Sequence, residues 1–211
     1  MIFGHILEKV IHAAFECACK NGQFQPQSEI EEIHVPNSAD FKVDLNAKDN
    51  KGMTAFHLAC KNARLETTEL IFKNSAKFNI NLNATDDFGN TAFHLLCETG
   101  QTEIAKLLLE NSKGHKINFN TKRVYGVTAF HLACENGNFM IAEMIIEKSS
   151  QLCIDLNSKS SGGFTPFHFA CKKGKSMVVE VIMKKSTEFN INLNAKEHLG
   201  KTAFHLVCEN R

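Results

Sequence analysis

The chain lacks a dominant charge, a long apolar run, a secretory start and a disulfide framework. Its net charge is +1 over 211 residues, so no global field draws it to nucleic acid or to an anionic membrane. No run of about 18 apolar residues occurs, so no membrane span is expected. The first ten residues carry Glu8 and Lys9 and have no cationic start, which makes a poor secretory signal. Eight cysteines are present, but five of them close the same repeated segment. One cysteine per repeat reads as a small apolar residue kept in a reducing compartment, not as half of a bridge. These absences point to an intracellular protein, placed in the cytoplasm ahead of the nucleus.

What is present is a seven-residue phrase used five times. It runs Thr54-Ala55-Phe56-His57-Leu58-Ala59-Cys60 and returns from Thr91, Thr128, Thr165 and Thr202, a step of 37 residues each time. A fixed period of this size marks a repeat array. One such unit cannot bury its own apolar face and must stack on its neighbours.

The boundaries follow from the phrase. Residues 1–42 read as a degenerate capping repeat and connection, with Glu16 where the histidine would stand and a short helix over Glu29 to Ile33. Terminal units of stacked repeats are commonly atypical. Four regular units follow at about 43–79, 80–116, 117–153 and 154–190, and a truncated fifth at 191–211. Each opens on an Asn-rich bend, such as Leu45-Asn46-Ala47, and a glycine at 52, 89, 126, 163 or 200. Asn bonding its own backbone and Gly at positive φ predict a tight hairpin-like turn.

The threonine two residues on is placed to cap a helix, and Pro166 suits the first helical position. Helix A is apolar on several sides, as a sandwiched helix should be. Gly100, Gly137 and Gly174 then predict a C-cap turn, with Ala63 in the first regular unit. Helix B follows, with Ile104, Ile141 and Val178 at a place held by Thr67 in the first unit, and a polar loop is expected after it. In the fifth unit helix A is present and helix B is not, so either the chain is part of a longer array or something else covers that end.

The turn glycine, the Thr-(Ala/Pro)-Phe-His-Leu-Ala segment, the second turn and the Leu-Leu-Leu helix resemble the ankyrin repeat, whose signature is Thr-Pro-Leu-His-x-Ala in a unit of about 33 residues. Here phenylalanine replaces the usual leucine, cysteine replaces an alanine, and about four extra residues lengthen the loop after helix B. The resemblance implies an all-α, ankyrin-type helical repeat solenoid with short hairpin or turn fingers. It also implies a structural hydrogen-bonding role for Thr54, His57, Thr91, His94, Thr128, His131, Thr165, His168, Thr202 and His205. By analogy with the family, it implies a protein-binding scaffold using the finger tips and the helix A face.

His57 and Cys60, spaced i, i+3, share a helix face and recur in every copy, but one zinc wants four ligands and neighbouring helices stand about 8–10 Å apart. Two such pairs cannot close on one ion, so no metal or cofactor is expected. A buried thiol without a cationic partner is inert, and no copy is singled out by an orienting acid, so the chain is not expected to be an enzyme. The tips vary while the framework repeats. Candidate partner-binding positions are therefore Lys51, Met53, Asp87, Phe88, Val124, Tyr125, Phe164, His198 and Leu199. Lys172, Lys173 and Lys175 stand near positions where other units carry Glu98 and Glu135; they read as a solvated face, and no nucleic-acid partner is expected. The first functional reading is a non-catalytic interaction scaffold or adaptor. The alternatives are the recognition segment of a larger enzyme, channel or receptor, and a metal or redox sensor built on the His-x-x-Cys ladder.

Overall fold

The computed structural model describes residues 44–209. The capping repeat read over residues 1–42 lies outside them. Nine α-helices follow in order: α1 (Ala55–Lys61), α2 (Leu65–Asn74), α3 (Ala92–Thr99), α4 (Thr102–Asn111), α5 (Ala129–Asn136), α6 (Phe139–Leu152), α7 (Pro166–Lys172), α8 (Ser176–Lys185) and α9 (Ala203–Glu209). No strand is present among the described residues. The odd-numbered helices are the repeated phrase, and the even-numbered ones are helix B. The phrase helices pack each on the next from α1 through α9, and the helix B row does the same from α2 through α8. Two layers therefore run side by side, and the architecture is an all-α repeat solenoid.

The phrase itself explains this row. Phe56, Phe93, Phe130 and Phe167 are buried, and so are Ala59, Cys60, Cys97, Ala133, Cys134, Ala170 and Cys171. Small residues let the phrase helices approach closely, and the phenylalanines reach along the row, Phe93 to Phe119 at 4.8 Å and Phe167 to Phe204 at 5.8 Å between ring centres. Burying one such ring is worth roughly 2–3 kcal/mol. Ile104, Ile141, Ile145, Ile146, Val178 and Ile182 close the core from the helix B side. In the first copy Thr67 is half-buried, and the neighbouring Thr68 hydroxyl is buried without a hydrogen-bond partner. That pair makes the first helix B the least apolar of its row.

The expected C-cap turn is present in all four copies: Ala63, Gly100, Gly137 and Gly174 stand at positive φ, and the residue after each donates back to Ala59, Leu96, Ala133 or Ala170. Two local expectations need correction. The polar loop expected after helix B is absent in the third copy, where α6 continues to Leu152, which packs on the core. Finally, the bend asparagines do not bond their own backbone. Asn46 donates to the Asn79 carbonyl at 3.0 Å, at the end of its own copy, and accepts from the Asn81 amide at 2.7 Å, at the start of the next. Asn83, Asn120 and Asn157 repeat the bridge. The carbonyls they reach belong to Asn79, Lys116, Cys153 and Asn190, all at φ near +50°. Left-handed backbone turns those carbonyls outward, and the asparagine amide gives each one a partner. The local turn is made two residues earlier, by the side chains of Asp44, Asn81, Asn118, Asp155 and Asn192.

Candidate interaction surface

Each finger is a tight turn closed by backbone bonds. In the first, Gly52 N–H donates to the Asp49 carbonyl and Asp49 N–H to the Met53 carbonyl, both at 2.9 Å. Neighbouring fingers are then tied tip to tip. Asp87 N–H reaches the Lys51 carbonyl at 3.2 Å, Val124 reaches Phe88 at 3.1 Å, Ser161 reaches Tyr125 at 2.8 Å, and His198 reaches Gly162 at 3.2 Å. The turn glycine is obligatory on two counts at Gly52. Its φ is +72°, and a Cβ there would stand 2.7 Å from the Asp87 backbone nitrogen.

An acid at the start of the turn locks three of the five fingers. Asp49 accepts from the Lys51 and Met53 amides, Asp86 from Phe88 and Asn90, and Glu197 from Leu199 and Lys201. The bond from Leu199 leads in holding the Glu197 carboxyl below its usual pKa. The third finger has Arg123 in that place and no such lock. There Tyr125 stands at φ +61°, a left-handed backbone that costs a bulky residue about 1–2 kcal/mol.

The threonine–histidine pair is a capping box. In α1 the Thr54 hydroxyl lies 2.8 Å from His57 Nδ1 and accepts from the His57 amide, while the Thr54 N–H donates to Nδ1 at 3.2 Å. Nδ1 is thus the acceptor, which puts the proton on Nε2. Nε2–H donates to the Asn90 carbonyl in the next finger at 3.0 Å. His131 reaches the Phe164 carbonyl at 3.0 Å and His168 reaches Lys201 at 3.3 Å in the same way. Buried His94 Nε2 has no well-formed partner; the Val127 carbonyl at the equivalent place still favours its charged form. Thr91, Thr128, Thr165 and Thr202 repeat the bond to Nδ1 with His94, His131, His168 and His205.

Desolvation is the leading influence on the four buried imidazoles. It pushes His94 and His131 down to about 4, and lowers His57 and His168. All four are neutral at pH 7 and occupied by the fold. The cysteines beside them are equally committed. Burial raises the Cys97 and Cys134 thiols well above their ordinary range and pushes Cys171 up to about 11. Among the described residues, no three His, Cys, Asp or Glu side chains are grouped to hold a metal ion.

The tips are what the framework leaves over. Phe88 is 61% exposed, Tyr125 81% and Leu199 81%. Phe88 and Tyr125 sit on adjacent fingers with exposed Val124 between them. Leu199 does not join them, because Gly162 occupies the intervening tip. Lys51, Asp87 and His198 are exposed, and Phe164 is half-buried. Met53 must be withdrawn from the surface set. It is buried at 7% exposure and belongs to the core cluster, as does Val127 at the same place in the third finger. Two features escaped sequence reasoning, the left-handed Tyr125 and the stacking of Lys172 on Phe164. The missing acid at Arg123 was the available signal for the first.

A profile of three consecutive ankyrin repeats matches residues 78–159 and 113–194, and the single ankyrin repeat matches residues 51–87. No curated protein matches the chain. The chain belongs to the ankyrin-repeat family. Repeats of this family are generally protein–protein interaction modules and are typically non-catalytic. No helix among the described residues is long and apolar enough to cross a membrane.

Proposed function

We propose that the protein is a non-catalytic scaffold that holds a protein partner across its finger tips and the adjoining faces of the phrase helices. Phe88 and Tyr125 act as paired anchors, and Leu199 as a separate one. The observation that carries this is a division of labour along each repeat. The polar groups of the phrase are consumed inside the fold, whereas the tip residue is Lys51, Phe88, Tyr125, Gly162 and Leu199 in turn. Large exposed side chains held on rigid, mutually tied turns lose little entropy on binding, and aromatic residues dominate binding hot spots. Buried phrase thiols at Cys60, Cys97, Cys134 and Cys171 fit an intracellular setting.

The test compares the full chain with its Phe88→Ala/Tyr125→Ala variant as bait in the same lysate, with circular dichroism as the control for folding. A protein retained by the parent and lost by the folded variant supports the reading. Identical retained proteins overturn it.

A further inference from the structure

The fourth copy departs from the others at one place. Its tip is Ser161-Gly162, so the row of side chains between Tyr125 and Leu199 is interrupted. Behind the gap stands Phe164, at the position that Met53, Asn90 and Val127 fill as buried residues. The larger ring spills to half-exposure. A Cβ on Gly162 would lie 2.8 Å from that ring, so the gap and the ring belong together. Phe169 replaces Leu95 and Leu132, which are buried, and it too is half-buried. The two rings meet edge to face at 6.2 Å.

Charge reverses at the same place. Lys172 Nζ lies 5.3 Å from the centre of the Phe164 ring, at the position that Glu98 and Glu135 hold in the second and third copies. Lys173 pairs with Glu135 at 3.3 Å, and Lys175 follows it. Residues 154–190 carry six lysines against three acids, whereas residues 80–116 carry three lysines against five acids.

We propose that this notch receives an acidic peptide segment with one large apolar side chain, aromatic or leucine, as a subsite of the interaction surface proposed above. The apolar side chain enters beside Gly162 and lies against Phe164 and Phe169. Flanking carboxylates meet the positive charge of Lys172 and Lys175. An aromatic floor beside fixed cations favours that combination over a neutral or basic segment.

The experiment pans a displayed library of random twelve-residue peptides on the full chain and titrates the enriched peptides against three proteins: the parent, Lys172→Glu and Phe88→Ala/Tyr125→Ala. Lys172→Glu restores the residue type of the second and third copies, so it is compatible with the fold. Enriched peptides carrying an aromatic or leucine among several acids, at least tenfold weaker on Lys172→Glu and weakened by 0.5 M salt, are the expected result. Peptides without acids, or unaffected by Lys172→Glu, overturn the notch; if they are lost on Phe88→Ala/Tyr125→Ala, the wider surface stands. A library that yields no binder overturns both. A fluorescent single-stranded DNA twelve-mer, titrated in parallel, overturns the peptide assignment if it binds more tightly than every enriched peptide.

Discussion

Phe130 and Phe204 occupy the same place in the same seven-residue phrase, yet one is 2% exposed and the other 45%. His131 is buried, while His205 is exposed and makes the same bond to its threonine. The third phrase helix lies between two others, and the fifth has a neighbour on one side among the described residues. Local sequence therefore makes the helix and its cap, and the neighbouring copy makes the core. This is the behaviour of a one-dimensional array, in which stability is a sum of weak units and strong interfaces.

The largest effect that separates the two copies is truncation of the ring. Phe130→Ala should cost about 3–5 kcal/mol, the range for emptying a buried aromatic site, whereas Phe204→Ala should cost a small fraction of that, as measured by urea unfolding. Acid should act next. The folded-state values of His94 and His131 lie at about 4, below the ordinary 6.5. The unfolded chain therefore binds protons in this window that the folded chain refuses. Stability is intact above pH 6.5 and falls as pH drops toward 4, by roughly 3 kcal/mol for each of the two. His57 and His168 shift the same way. Protonation also turns Nδ1 from acceptor to donor against the threonine N–H. Urea midpoints at pH 7, 5.5 and 4.5 measure the slope, and a flat profile would remove the buried-imidazole account.

Cap removal should be smaller again. Thr128→Ala should cost about 1 kcal/mol and Thr202→Ala a few tenths, since water replaces the cap at an exposed end; thermal melts of the pair decide it. A further effect, smaller than that of Thr128→Ala, has the opposite sign. Tyr125→Gly should stabilise by about 0.5–1 kcal/mol, because glycine accepts the left-handed backbone without strain. If melting temperature does not rise, the turn is not strained as described.

Much of this was legible in the sequence because it is repeated five times. The period, the threonine caps, the turn glycines and the two-helix unit follow from residues whose local demands agree with the fold. What was not legible lies between copies. Asn46 could as well have bonded its own turn; that it bridges to Asn79 and Asn81 depends on where the next copy sits. Met53, one residue past its turn glycine, looked like part of the rim until packing placed it in the core. At the candidate surface, exposure of Phe88, Tyr125 and Leu199 was readable from their lack of any helical role. The notch was not readable, because it needs Gly162, Phe164 and Lys172 to meet from a finger and a helix end.

Native-state amide hydrogen exchange on the full chain compares the five copies of the phrase in one measurement. Protection should be greatest in α3, α5 and α7, which have phrase helices on both sides, and least in α9, although the seven residues are nearly the same. Equal protection in α5 and α9 would contradict the claim that each copy is held by its neighbours.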